Sequence, residues 1–184
     1  EHLFSLPLSK VSSSALIDEV RVDERVYPIW RDKFLRSLAQ AYARAPYRDL
    51  VLELVKTTLF IDTDRIGSIA SDSLRRVLEY LGLTTDIVPT SRQYGNAHLS
   101  SQERVLDICR MEGAGQYINA QGGKHLYSKD SFKAFEIELS FIRPQLDPYP
   151  QFGEAFIPGL SIIDVLMFNS EGTIRTMLET YTLD

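Results

Sequence analysis

Residues 117–127, YINAQGGKHLY, are the stretch of sequence that decides the fold. They begin inside a short run, residues 116–119, whose aromatic and β-branched side chains favour a strand. The glycine pair within residues 121–124 then favours a turn. The stretch therefore predicts a strand of an α/β domain that ends in a polar loop, and such loops are the usual ligand-binding edge of these domains.

The elements on both sides of this stretch alternate between strand and helix. Strands are predicted at residues 85–88, 116–119 and 137–142, with helices at residues 100–112 and 130–135 between them. This β-α-β-α-β order predicts parallel strands joined by right-handed crossovers. We therefore expect a single α/β domain over residues 1–184, with a three-layer Rossmann-like fold, a mainly parallel sheet and extra C-terminal helices.

The remaining sequence predicts mostly helices. Apolar side chains recur at helical spacing over residues 30–44, and the pattern ends before Pro46. Further helices are predicted at residues 50–57, 62–81, 161–169 and 171–180, and short strands at residues 3–8 and 17–22. Helix caps are predicted at Asp62 to Asp64, at Gly82, at Ser100 with Glu103, and at Ser161 with Asp164.

Composition and charge exclude several classes of protein. Of the 184 residues, 44% are hydrophobic and 24% are charged, which favours a folded globular chain over a disordered one. The net charge of −5 argues against nucleic acid as a partner. No apolar run reaches the ~20 residues of a membrane span. The single Cys109 excludes a disulfide framework, so we expect a cytoplasmic protein.

Three polar loops are expected at the carboxyl edge of the predicted sheet. They are residues 90–99, 120–127 and 143–159. We expect residues 120–127 to form one wall of a ligand site and to face residues 149–152. Tyr117, Tyr127 and Tyr149 are candidates for an aromatic lining. Asn119 and Gln151 offer neutral hydrogen bonds to an amide or a hydroxyl group.

Gly122, Gly123 and Lys124 invite comparison with phosphate-binding loops, because glycine amides and a lysine can hold an anion. The P-loop pattern requires a glycine where this sequence has Ile118, and Ser or Thr where it has His125. The dinucleotide pattern fails as well, since the glycines of residues 113–115 precede a strand instead of following one. A plain turn and a turn that contacts an anion both stay open.

Other candidate residues are better explained by structure than by chemistry. Asp62 and Asp64 resemble a metal-chelating pair, but helix capping explains them, and we expect no metal. Cys109 falls on the apolar face of its helix and is interpreted as a core thiol. His98 and His125 are candidate general bases at the loop edge, and surface histidines are the alternative.

Two long segments resemble a known family. They are SQERVLDICRMEGAGQYINAQGGKHLYSKDSFKAFEIELSFI, residues 101–142, and YPQFGEAFIPGLSIIDVLMFNSEG, residues 149–172. Together with FSLPLSK and AYARAPY farther upstream, they resemble the WbqC-like protein family over nearly the whole chain. The residues that correspond to its motifs are Tyr117, Asn119, Gly122, Gly123, Tyr127, Tyr149, Gln151, Ser161 and Asp164.

The resemblance implies a role in the biosynthesis of bacterial surface polysaccharides of the O-antigen type. The implied enzyme transfers an amino-acid or other acyl group to a nucleotide-linked amino sugar and forms an amide. Its candidate cofactor is a nucleotide, either ATP or a sugar nucleotide. The alternative is a non-catalytic binding or scaffolding protein of the same pathway, since the sequence holds no unambiguous nucleophile, acid, base or metal cluster.

In the implied enzyme, Gly122, Gly123 and Lys124 hold phosphate, while Tyr149 and Gln151 orient the sugar or the acyl group. His98 or His125 is the candidate acceptor of the amine proton. The partner is a small molecule, and the apolar residues 160–168 make a homodimer a candidate assembly. Family members usually begin with a further strand-loop-helix segment, which we expect this chain to lack.

Overall fold

The computed structural model describes residues 3–12, 15–153 and 155–184. The chain forms two compact units. The helical unit comprises Glu1–Pro89 and Pro148–Arg175. The sheet unit comprises Thr90–Asp147 and Thr176–Asp184.

Helices make up most of the regular structure. In chain order they are α1 (Tyr27–Ala41), α2 (Arg48–Leu59), α3 (Ile66–Tyr80), α4 (Ser101–Met111), α5 (Lys129–Lys133), α6 (Ile162–Phe168) and α7 (Glu171–Leu178). The strands are β1 (Gln116–Ala120), β2 (Glu138–Pro144) and β3 (Tyr181–Leu183). Short 3-10 helices cover Ile17–Glu19, Ser91–Tyr94 and Gln121–Leu126. Within the described residues, no helix is long and apolar enough to cross a membrane.

The core of the helical unit lies among α1, α2 and α6. Val51 and Val55 are one helical turn apart on α2, so both face the core, where Leu166 and Met167 of α6 are also buried. The backbone N–H of Tyr47 donates to the carbonyl of Met167 and so joins the start of α2 to α6. The predicted helices of this unit are confirmed, with ends that shift by a few residues.

The N-terminal strands predicted in the helical unit are wrong. Residues 17–19 form a 3-10 helix, and residues 3–8 contribute only an isolated bridge between Leu8 and Val22. Ile17 is 73% exposed, so the alternating pattern that suggested a half-buried strand has no sheet to face. Pro7 has no N–H to donate to a ladder, which also limits pairing here.

The sheet unit contains one parallel and one antiparallel pair of strands. β1 pairs with β2 in parallel, with Tyr117 opposite Leu139 and Asn119 opposite Phe141. α5 connects these two strands in a β-α-β unit. β3 pairs with β2 in antiparallel orientation, which gives the order β1-β2-β3. Phe132 of α5 is 0% exposed and lies at the centre of the core against the sheet.

The α/β class is confirmed, and so are the strands predicted at residues 116–119 and 137–142. The third predicted strand, residues 85–88, is wrong, because it is irregular and joins no sheet. The described residues therefore form a small mixed sheet of three strands, and a mainly parallel, three-layer Rossmann-like sheet is not confirmed. A short β-like run does not become a strand unless a neighbouring strand accepts its backbone hydrogen bonds.

The predicted helix caps are confirmed in part. Gly82 has a left-handed φ of 62° just beyond α3, as a C-terminal cap requires, and the Ser161 side chain accepts from the N–H of Ile163 at the start of α6. The cap of α3 is Arg65 and not an aspartate, since Asp64 instead accepts two hydrogen bonds from the Arg21 guanidinium. Ser100 makes no side-chain cap on α4.

Candidate functional site

A cavity of about 740 Å³ lies within the helical unit, against α1 and α6. This volume is in the range of small-molecule sites, about 300 to 1,000 Å³. Its walls are mostly aromatic and aliphatic, with a few polar groups among them. Gln151, Ser161 and Asp164, three of the residues predicted for the site from the sequence, line it. The cavity is therefore the candidate binding site of this unit.

One face of α1 forms a long wall of the cavity. The lining residues of this helix recur three or four positions apart, which places them on one face: Trp30, Lys33, Phe34, Ser37, Leu38 and Ala41. The rings of Trp30 and Phe34 stack at 5.1 Å, and Phe4 lies 4.5 Å from Phe34. These stacked rings give the ligand a flat apolar surface to pack against.

A second aromatic group lies beside α6. The ring of Phe152 contacts Phe168 edge to face at 4.8 Å, and Tyr42 lies 5.9 Å from Phe168. Arg44 covers the Phe152 ring at 5.4 Å, in a cation–π contact. Phe152 belongs to the proline-rich loop that precedes α6, so these contacts hold that loop against the helices of the unit.

The polar centre of the cavity wall is the carboxylate of Asp164, in the first turn of α6. Asp164 is only 5% exposed, although charged residues are rarely buried without partners. Its Oδ2 accepts from the Tyr42 hydroxyl at 2.7 Å. Its Oδ1 accepts from the Tyr149 hydroxyl at 2.6 Å and from Gln151 Nε2 at 2.8 Å. A carboxylate offers about four acceptor positions, so three protein donors leave one for a ligand.

Gln151 holds the loop as well as the carboxylate. Its Oε1 accepts from the N–H of Ile157 at 2.9 Å, and its Nε2 reaches the Ile157 carbonyl at 3.3 Å as well as Asp164. This amide pair closes the loop between residues 151 and 157. Replacing Gln151 would therefore both loosen the loop and remove one donor from Asp164.

The two tyrosines that face Asp164 are held in their protonated form. Burial, followed by the hydrogen bond to Asp164, raises the pKa of Tyr149 to about 12. The same two causes, in the same order, raise the pKa of Tyr42 well above its ordinary value of 10. Both hydroxyls therefore remain donors at neutral pH, and they orient the Asp164 carboxylate in the cavity wall.

Sequence reasoning missed Tyr42, Lys33 and the stacked aromatic residues of α1 as part of this site. Their helical spacing predicts the buried stripe of an amphipathic helix, and such a stripe looks the same whether it faces a core or a cavity. Tyr42 lies within AYARAPY, one of the segments that resemble the family, and that was the available signal.

The other predicted site residues belong to the sheet unit, and four of them form one cluster. Asn119 Nδ2 donates to the Tyr117 hydroxyl at 2.6 Å, and the hydroxyls of Tyr117 and Tyr127 are 3.5 Å apart. A side chain at Gly123 would come within 2.7 Å of Asn119 Oδ1, so the glycine permits this close approach. Burial and the contact with Tyr127 raise the pKa of Tyr117 to about 12.

Lys124 lies in the same 3-10 helix as Gly123 and is paired with an acid. Its Nζ contacts Asp184 Oδ2 at 2.6 Å and lies over the Phe141 ring at 5.7 Å. Arg143 and Gln121 also donate to Asp184, and the pKa of that carboxyl is lowered, first by its bond to Lys124. A phosphate bound by Lys124 would have to compete with Asp184 for the ammonium group.

Gly122, His98 and His125 are exposed residues of the sheet unit. An added Cβ at Gly122 meets no atom within 4 Å, so a larger side chain would fit at this position without a steric clash. His98 lies on a loop that Asn96 anchors, since Asn96 Nδ2 donates to Asp107 at 2.8 Å and its Oδ1 accepts from Arg104. Within the described ranges, no group of three or more His, Cys, Asp or Glu residues is placed to hold a metal ion.

Comparisons with known proteins identify a family and no individual relative. No curated protein and no solved structure matches the chain significantly. The family model of the WbqC-like proteins matches residues 1–176, which include both the Asp164 cavity and the Tyr117–Asn119–Gly123–Tyr127 cluster. Since that match covers nearly all of the sequence, the chain belongs to the WbqC-like protein family.

Proposed function

We propose that this chain is an enzyme of surface-polysaccharide biosynthesis that binds an amino sugar in the Asp164 cavity and forms an amide on its nitrogen. The observation that carries the proposal is a buried carboxylate in the wall of an otherwise aromatic cavity. The family supports the pathway, and the cavity supports the kind of ligand.

The cavity matches the two chemical faces of an amino sugar. The C–H face of a sugar ring packs on flat aromatic surfaces such as the stacked Trp30 and Phe34. The ammonium group takes the remaining acceptor position of Asp164, where the low polarity of the walls strengthens a charge-assisted hydrogen bond. Ser161 and Gln151 provide neutral groups for the sugar hydroxyls.

Amide formation requires the amine to lose its protons. The neutral nitrogen attacks the carbonyl carbon of an activated acyl donor, the C–N bond forms and the leaving group departs with its electron pair. Asp164 orients the amine in this scheme. That His98 or His125 of the sheet unit accepts a proton in amide formation is a separate proposal, and His→Gln variants of each, measured for the rate of amide formation, test it.

Nucleotide binding through Gly122, Gly123 and Lys124 also stays a proposal. Lys124 is paired with Asp184, so an anion that binds Lys124 must replace that pair. The free energy gained on binding is therefore only the difference between the new contact and the pair that is lost. Calorimetry with ATP and with sugar nucleotides tests the proposal. The Lys124→Met variant is expected to weaken their binding, and unchanged affinity in this variant would remove Lys124 from the site.

The central test compares amino hexoses with the matching hexoses that carry a hydroxyl in place of the amine. We expect the amine to bind about tenfold more tightly, the size of one charge-assisted hydrogen bond. Asp164→Asn should abolish that preference. Asp72→Asn is the matched control, because Asp72 is also a buried carboxylate of the helical unit but pairs with Arg76 and does not line the cavity.

Equal affinity for amine and hydroxyl sugars in the wild-type protein would refute the proposal. The proposal would also fail if a folded Asp164→Asn variant kept the preference, with folding checked by its thermal midpoint.

A non-catalytic binding protein of the same pathway is the second candidate. Its support is that Tyr42, Tyr149 and Gln151 all hold Asp164 in place, an arrangement that makes a rigid binding wall without requiring chemistry. Mass spectrometry of an amino sugar incubated with the protein, ATP and a panel of carboxylic acids separates the two. An amide product favours the enzyme, whereas binding without product favours the second candidate.

A further inference from the structure

Residues 3–5 line the cavity although they belong to no helix or strand. Phe4 of this segment lies 4.5 Å from the ring of Phe34 on α1. Leu3 is 89% exposed and Phe4 is 39% exposed. Within the described parts of the chain, no hydrogen bond or ion pair ties residues 3–5 to another residue. This segment, which we call the strap, is therefore held on the cavity by apolar side-chain contacts.

The residues that follow the strap are fixed to the helical unit. Leu6 packs against a small buried cluster beside α1 and α3. The N–H of Asp23 donates to the Pro7 carbonyl at 3.0 Å, and the N–H of Ser9 donates to the Arg21 carbonyl at 2.9 Å. Pro7 also restricts the backbone of Leu6 to extended conformations. Any movement of the strap therefore has its hinge immediately before Leu6.

The strap and its anchor differ in how easily they open. A segment without backbone hydrogen bonds and with few buried contacts opens locally at a small cost in free energy, whereas a hydrogen-bonded segment does not. The contact of Phe4 with Phe34, which itself stacks on Trp30 at 5.1 Å, favours the closed position. The structure thus shows a closed strap beside a wall that its movement would uncover.

We infer that the strap opens to admit a ligand to the Asp164 cavity and closes over it, and that the ring contact of Phe4 sets the fraction of time it is closed. A closed strap limits the access of water to the ligand. In amide formation this protects an activated acyl donor from hydrolysis. That consequence rests on the proposed function, whereas the strap itself requires only a ligand that enters this cavity.

The first test measures binding rates on the full chain. Trp30 is the single tryptophan and lines the cavity, so its fluorescence in a stopped-flow instrument follows the binding of a free amino hexose. If the ligand enters and leaves only while the strap is open, both rate constants scale with the open fraction. Phe4→Ala should raise the association and dissociation rate constants together by about two- to tenfold, the size of one aromatic contact. The affinity should change less than either rate constant.

Two further variants serve as controls. Phe4→Tyr keeps the aromatic ring and should keep both wild-type rate constants. Leu16→Ala removes an exposed apolar side chain near the strap in sequence that does not line the cavity, so it should also leave both rate constants unchanged. A rise of the dissociation rate constant alone in Phe4→Ala would identify a fixed contact residue and overturn the inference. Two unchanged rate constants in Phe4→Ala would overturn it as well.

The second test needs no ligand and separates the strap from the proposed function. Acrylamide quenching of Trp30 fluorescence reports how easily a small molecule enters the cavity. Phe4→Ala should raise the quenching constant, whereas Phe4→Tyr should leave it at the wild-type value. Equal quenching constants in Phe4→Ala and the wild type would overturn the inference. If the amino hexose does not bind, the proposed function fails, and the quenching constants alone decide whether the strap opens.

Discussion

The neighbouring glycines Gly122 and Gly123 should respond very differently to the same substitution. A Cβ at Gly123 would lie 2.7 Å from Asn119 Oδ1 and 3.1 Å from Asn119 Cγ, both closer than normal van der Waals contact. A Cβ at Gly122 would meet no atom within 4 Å. Gly123→Ala should therefore destabilise the sheet unit, and Gly122→Ala provides an adjacent control in the same 3-10 helix.

The expected size of the effect follows from these contacts. Inserting a methyl group where there is no room costs about 1 to 3 kcal/mol. Asn119 must also turn away, which breaks its 2.6 Å hydrogen bond to Tyr117, a loss of about 1 kcal/mol. Alanine stabilises both variants by about 0.4 to 1 kcal/mol through the unfolded chain. Because the unfolded-chain contribution is common to both variants, we expect Gly123→Ala to be less stable than Gly122→Ala by about 2 to 4 kcal/mol.

The assay has to report on the sheet unit. The single Trp30 belongs to the helical unit, so its fluorescence reports on that unit. Hydrogen exchange of the paired β1 and β2 amides, followed by mass spectrometry, measures the local opening free energy of the sheet unit. A loss of about 2 kcal/mol corresponds to roughly 30-fold faster exchange in Gly123→Ala.

A double substitution tests the cause. Asn119→Ala removes the side chain that a Cβ at Gly123 would strike, so it should cost about 1 kcal/mol alone. Adding Gly123→Ala to it should then cost little more, instead of the sum of the two single losses. The contact explanation is refuted if the two losses add, or if Gly122→Ala and Gly123→Ala speed exchange equally.

Three further substitutions test the packing and the network. Phe132→Ala should destabilise the sheet unit by about 3 to 5 kcal/mol, because the Phe132 ring is fully buried. Phe135→Ala should cost about 1 kcal/mol or less, because the Phe135 ring is half exposed. Denaturant unfolding measures both losses of stability. Tyr149→Phe removes one donor from Asp164 and should lower stability by about 1 to 2 kcal/mol, and an unchanged unfolding midpoint would contradict this role of the hydroxyl. Since its pKa is raised from about 10 to about 12, Tyr149 stabilises the fold fully below pH 10, and this contribution should disappear between about pH 10 and 12. Tyr149 and Tyr117 should both ionise near pH 12, so the ultraviolet titration of Tyr149→Phe subtracted from that of the wild type should leave one tyrosinate that appears near pH 12. A difference that appears near pH 10 would contradict the raised pKa of Tyr149.

Local sequence signals predicted the elements that depend on local interactions. The β-branched and aromatic run at residues 116–119, the helix-spaced apolar residues of α1 and the Ser161 cap all formed as expected. The same kind of signal failed at residues 17–22 and 85–88, because a strand requires a partner that local sequence does not contain. β3 was missed for the opposite reason, since its three residues are ordered by β2.

The sequence by itself determined the α/β class, the β1–α5–β2 unit, the family and the identity of the motif residues. The tertiary structure decided what those residues touch. Asp164 looked like a helix-capping residue because capping is a local interaction, but its carboxylate accepts hydrogen bonds from Tyr42, 122 residues earlier in the chain, and from Tyr149. Lys33 and Trp30 looked like parts of a packed helix, since spacing along a helix does not show whether the facing space is filled or empty. Only the tertiary structure shows that α1 and α6 line a cavity, and that the motif residues Gln151, Ser161 and Asp164 belong to its wall.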